Sequence, residues 1–181
     1  MGDGVAERRD RFESLYRELY PAICGYVLRR VREPEDAAEI VAETFATLWR
    51  RLDTSPRGTE LRPWLFGVAR RVIANQRRGE RRRSALGDRL VENLDQRAFE
   101  TVSAPDETSE LARAFASLSE SDRQLLSLAA WEGLTREELA IALGTSRAVV
   151  RLRLHRASKR LRAALPPNQV RFTGGREHEW T

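Results

Sequence analysis

Residues 133–146, GLTREELAIALGTS, narrow the fold more than any other part of this chain. Thr135 followed three residues later by Glu138 is a capping box, which starts a short helix through Leu139, Ala140 and Leu143. Gly144 supplies the left-handed backbone conformation that ends it, and Ser146 caps a second helix. Two short helices joined by a tight glycine turn form a helix-turn-helix, with Ala140 allowing close approach and Leu139, Val149 and Leu154 expected to seal the pair. The second helix carries Arg147, Arg151, Arg153 and Arg156, with Lys159 and Arg160 one turn later. A helix with such a face can lie in the major groove of DNA, its first turns reaching bases and the rest gripping phosphates.

The remaining pattern is helical too. Phe12, Leu15, Tyr16, Leu19, Ile23, Tyr26 and Val27 follow i, i+3, i+4 spacing, and Pro21 is expected to open a second helix within that stretch. Pro34 starts the next helix, with Glu35 and Asp36 favourable in its first turn and an apolar face of Ala37, Ile40, Val41, Thr44, Phe45 and Leu48. Residues 53–61, DTSPRGTEL, read as a loop, and Pro63 opens a helix through Trp64, Leu65, Val68, Val72 and Ile73. No alternating β-branched run is long enough for a strand. The expected fold is all-α: two small helical domains, residues 1–83 and 109–165, joined by a flexible acidic linker, 84–108, and followed by a flexible tail, 166–181.

Charge is distributed in blocks. Residues 33–49 hold five acids and no base, whereas residues 62–83 hold eight Arg against Glu80, a net of +7. Residues 84–110 net −5, and residues 145–162 hold six Arg and Lys159 with no acid. Two basic blocks, each following an acidic one, suggest two nucleic-acid faces and at least one acidic protein-binding face. Lys159 is the sole lysine among 32 basic residues, and Arg is the side chain best suited to bidentate phosphate and guanine contacts.

Several classes are excluded. No stretch reaches the ~18–20 apolar residues of a membrane span, and the start is too polar for a signal peptide. One cysteine, Cys24, rules out an internal disulfide and fits a reducing cytoplasm. There is no Gly-x-x-x-x-Gly-Lys loop and no His pair at metal spacing, with His155 and His178 the only histidines. An enzyme, a metal site and a cofactor are therefore not expected, and His155 reads as a DNA-facing or solvated residue.

Four segments together resemble the extracytoplasmic-function (ECF) sigma factors, the small two-domain type of bacterial sigma factor. They are DAAEIVAETFATLWRRL, RPWLFGVARRVIANQRRGERRR, AFASLSESDRQLLSLAAWEGL and LTREELAIALGTSRAVVRLRLHRASKRLR, in the order the family has them. The resemblance implies that Asp36, Glu39, Glu43, Phe45 and Trp49 dock on the coiled coil of the polymerase β′ subunit, with further contact to the β subunit. It implies that loop 53–61, with Arg57, and the facing helix, with Trp64, Arg70, Arg71, Arg77 and Arg78, read and melt the −10 element. It implies that Ser146, Arg147, Arg151, Arg153, Arg156 and Lys159 read the −35 element, and that an anti-sigma factor is a further partner of two domains expected to move independently. Two positions depart from the family: Ala42 stands where a Gln is usual, and Arg71 where an Asn is usual. Phe45 and Trp49 also fit plain core packing. The expected function is promoter-specific transcription initiation with core RNA polymerase; the alternatives are a free-standing helix-turn-helix regulator and a basic RNA-binding protein.

Overall fold

The computed structural model describes residues 3–31, 33–87 and 110–165, so most of the expected linker and all of the expected tail lie outside the described residues. Among the described residues the chain is all-α, with helices α1 (Asp3–Leu28), α2 (Pro34–Arg50), α3 (Leu61–Gly87), α4 (Glu110–Ala116), α5 (Glu120–Ala130), α6 (Arg136–Leu143) and α7 (Arg147–Ala164).

Helices α1, α2 and α3 pack together through the faces their periodicity implies. The buried side of α2 is Ala37, Ile40, Val41, Thr44, Phe45 and Leu48, and Thr44 satisfies its hydroxyl by donating to the Ile40 carbonyl at 2.7 Å. Tyr26 of α1 meets Phe66 of α3 edge-on, ring centres 5.2 Å apart, and both are fully buried. Pro21 does not open a new helix: α1 runs unbroken through it. The lost bond to the Arg17 carbonyl lies on an exposed side where water can replace it, while Leu19, Ile23, Tyr26 and Val27 on either side of Pro21 are buried in one line. Continuous packing outweighs the break that proline favours. The expected loop 53–61 contains a single 3-10 turn, Gly58–Glu60, and α3 begins two residues before Pro63.

The helix-turn-helix is α6 and α7. Thr135 and Glu138 form both bonds of the capping box, at 2.8 and 3.2 Å, and Gly144 adopts φ 62° and ψ 42°. The Ser146 hydroxyl caps α7 by accepting from the Val149 amide at 3.3 Å. The seal differs by one residue from expectation: Val150, not Val149, is buried with Leu139, Ala142 and Leu154. Val150, Leu154 and Ala157 stand at i, i+4 and i+7 on α7, and Val149 falls off that line.

In this conformation the two halves pack against each other. Leu134, Leu139, Ala142, Val150 and Leu154 belong to the same core as Leu65, Phe66 and Ile73. Helix α6 crosses α3 at Gly67, so closely that a Cβ there would stand 2.6 Å from the Ala142 carbonyl oxygen. Beside this crossing Glu132, with a side chain only 4% exposed, accepts from Arg29 at 2.6 and 2.7 Å and lies 3.6 Å from Arg30. Arg62 donates to the Glu132 carbonyl at 2.8 Å. Arg77 donates to Glu120 and to the Arg30 carbonyl, each at 2.9 Å.

Candidate nucleic-acid and polymerase interfaces

Helix α7 places its basic residues unequally. Arg151, Arg156 and Lys159 are exposed, as is His155. Arg147 is exposed but pairs with Glu137 of α6 at 2.7 Å. Arg153 does not share the outward face: it is half-buried and donates to the Ser121 hydroxyl of α5. Arg160 is held by Asp122 at 2.7 Å. Ser146 is occupied as the helix cap. Of the residues expected to read DNA here, Arg151, Arg156 and Lys159 are therefore the ones free to meet a duplex without first breaking an internal bond.

Helix α3 is basic along its second half, but the packed C-terminal half covers part of it. Arg77 is committed to Glu120 and Arg30, and burial lowers the Arg70 guanidinium pKa, with the charges of Arg71 and Arg153 lowering it further. Burial disfavours ionisation of Glu120, yet Arg77, Gln124 and Arg123 together hold its carboxyl below the usual carboxylate range. Arg71 and Arg78 remain exposed, Arg78 beside Asn75. Arg57 is exposed in the loop before α3, and Trp64 is half-buried against the core.

The acidic and aromatic residues of α2 divide between two flanks. Asp36, Glu39 and Glu43 line a groove shared with Arg71, Asn75 and Gln76 of α3, where Gln76 donates to Asp36 at 2.9 Å and Glu43 pairs with Arg50 at 2.6 Å. Phe45 is not on a docking face: it is buried against Tyr16, ring centres 4.6 Å apart. Its position one residue beyond Thr44 puts it in the α1 contact. Trp49 sits on the other flank, edge-on to Phe12 at 5.2 Å and under Arg8, which also donates to its carbonyl at 2.8 Å. The exposed aromatics of this flank are Tyr16, Tyr20 and Trp49.

Residues 15–83 match the family described as Sigma-70 region 2, and residues 108–161 match Sigma-70, region 4. The chain is 30% identical over 159 residues to the ECF RNA polymerase sigma factor SigL of Mycobacterium tuberculosis, covering 84% of this chain and 87% of that protein. The chain is an ECF RNA polymerase sigma factor. It is 27% identical over 160 residues to RNA polymerase sigma factor YlaC of Bacillus subtilis. Its fold is similar to that of the sigma factor RpoE of Bartonella quintana, solved with the anti-sigma factor NepR, with a TM-score of 0.65, 21% identity, and coverage of 85% of this chain and 96% of that one. CnrH, solved with the cytosolic domain of CnrY, gives a TM-score of 0.56 at 21% identity, covering 86% of this chain and 87% of that one.

A sigma factor directs RNA polymerase to promoters and initiates transcription, so core polymerase and promoter DNA are its partners; the two regions in order do not favour a free-standing regulator. Among the described residues no helix is long and apolar enough to cross a membrane. The sequence did not mark the arginines and the glutamate that join the two halves of this sigma factor. Arg29 and Glu132 are separated by 103 positions, and nothing local to either announces the other. One signal was available: Glu132 follows a run of small and apolar residues in α5, where an acid is costly unless paired.

Proposed function

We propose that residues 1–83 bind core polymerase and engage the −10 element, and that residues 109–165 read the −35 element. The observation that carries this is the pairing of the two sigma regions with two separate basic helices, α3 and α7, each presenting arginines to solvent. On this reading Asp36, Glu39, Glu43 and Trp49 contact the polymerase, and Phe45 supports them from beneath. Arg57, Trp64, Arg70, Arg71, Arg77 and Arg78 serve the −10 element once α3 is uncovered. Arg151 lies nearer the N-terminus of α7 and reads bases, while Arg156 and Lys159 grip phosphate. Ser146 sets the start of the helix. Arg147 and Arg153 join in only by leaving Glu137 and Ser121.

The protein acts by binding rather than by catalysis, in the cytoplasm with the polymerase. The solved neighbours that hold an anti-sigma factor support a similar inhibitor as a further partner. Reconstitution with core polymerase tests the reading. Glu43→Lys combined with Trp49→Ala abolishes holoenzyme assembly while leaving helical circular dichroism unchanged; assembly at undiminished affinity refutes the α2 assignment. In holoenzyme, Arg151→Ala relaxes preference among −35 sequences, whereas Arg156→Ala weakens all promoters alike and reduces the salt slope by roughly one unit.

A further inference from the structure

The outward face of α7 is not uniformly polar. Val150, Leu154 and Ala157 point into the core, which fixes the helical phase, and the opposite line is Ala148, Leu152, His155 and Lys159. Leu152 is 48% exposed and Val149, one turn before it, is 42% exposed. They are the two large apolar side chains that α7 leaves in solvent, and they adjoin each other on a helix surface at i, i+3. Arg151, His155 and Arg156 surround them, and Ala148 on the same line keeps the backbone free to approach whatever the face meets.

The charge around this patch suits a duplex, and a duplex offers it one match. In the major groove, every base edge presents donors and acceptors except for the C5-methyl group of thymine. An apolar side chain pressed on donors or acceptors strips water from them without replacing its hydrogen bonds, which is unfavourable. The same side chain on a methyl group buries apolar surface on both partners. The geometry points to Leu152, with Val149 beside it, as a specificity determinant that reads thymine methyl groups in the upstream promoter element. This rests on the reading that α7 enters the major groove there. At those positions discrimination is apolar, while Arg151 reads neighbouring base edges and Arg156 grips phosphate.

The test uses holoenzyme and a duplex selected by wild-type holoenzyme from a library randomised over the upstream element. The selected sequence carries A·T pairs in that element, and each thymine is replaced singly by deoxyuridine, which lacks only the methyl group. Loss of one methyl contact slows open-complex formation about fourfold at one or two positions. Leu152→Ala holoenzyme becomes indifferent at those positions and keeps its preference elsewhere. Leu152 is exposed, and Ala is favourable in a helix, so the variant folds. Selected elements without A·T pairs, thymines all replaceable without effect, or full sensitivity retained by Leu152→Ala each overturn the proposal. Scrambling the whole element separates the two levels. If scrambling weakens wild-type holoenzyme but deoxyuridine does not, only the methyl reading fails; if scrambling has no effect, the major-groove reading of α7 fails with it.

Discussion

Glu132→Ala tests what joins the two halves. The carboxylate and the Arg30 side chain are 4% and 5% exposed, and Arg29 is 28% exposed, so neither charge of the Glu132–Arg30 pair is solvated in the packed form. Removing one partner of a buried ion pair costs about 3–5 kcal/mol, because the other charge is left uncompensated. Burial already lowers the Arg30 pKa, with Arg29 adding to it and Tyr26, Glu132 and Glu120 opposing, so Glu132→Ala removes one of the groups that favour its charge. The chain has an escape that a single-domain core lacks: the halves can part and let both arginines meet water. The measured loss is therefore capped by the free energy of the contact itself. The expected outcome is a shift toward parted halves by about two orders of magnitude, read as a longer distance between fluorophores on α2 and α7. Urea unfolding, one transition in the parent, splits into two. Arg29→Ala in the Glu132→Ala background then adds less than it does alone, the non-additivity expected of groups in contact. A variant with the parent's distance and a single transition at the parent's midpoint would show that the apolar crossing alone holds the halves together.

Gly67→Ala attacks the same contact without touching charge. A Cβ 2.6 Å from the Ala142 carbonyl oxygen cannot be accommodated by a backbone atom, so α6 is displaced and the fluorophore distance grows while helicity stays constant. Phe45→Ala costs about 3–5 kcal/mol in urea unfolding, as expected for a buried aromatic, whereas Trp49→Ala costs less because that ring is partly in solvent. Glu120 gives a pH signature. Its folded pKa lies below its unfolded value, so its contribution to stability is present above the unfolded carboxylate range and is lost as pH falls through the folded value. Relative to Glu120→Gln, the parent chain accordingly loses stability more steeply on acidification.

Local physics was legible from the sequence. The inner face of α2 follows from 3.6-residue spacing, and the caps at Thr135, Gly144 and Ser146 follow from side-chain chemistry that needs no distant partner. Errors arose where neighbours decide. Pro21 read as a helix start because its own chemistry says so, but burial on both sides kept α1 whole. Val149 and Val150 are the same residue type in adjacent positions, and only the neighbours that α7 packs against choose between them. The acidic-aromatic pattern of α2 read as one surface, yet Phe45 lies on the inner side and Trp49 on a flank away from Glu39 and Glu43. The packing of the two halves depends on which surfaces meet, and a periodic pattern specifies that a face is apolar without specifying its mate.

The crossing of α6 over α3 has a consequence for how strongly the protein acts. Helices α3 and α7 both lie against α6, which keeps the two basic helices within about 20 Å of each other at ordinary interhelical spacing. On the proposed reading their targets are centred about 25 base pairs apart, about 85 Å along a duplex. The packed chain therefore cannot occupy both, and each promoter draws only on molecules whose halves have parted. The apparent affinity for every promoter is scaled by that same fraction. On that reading Gly67 and Glu132 work as a gain control: they set the overall level of output across all target genes and leave the ranking among them to the side chains of α7.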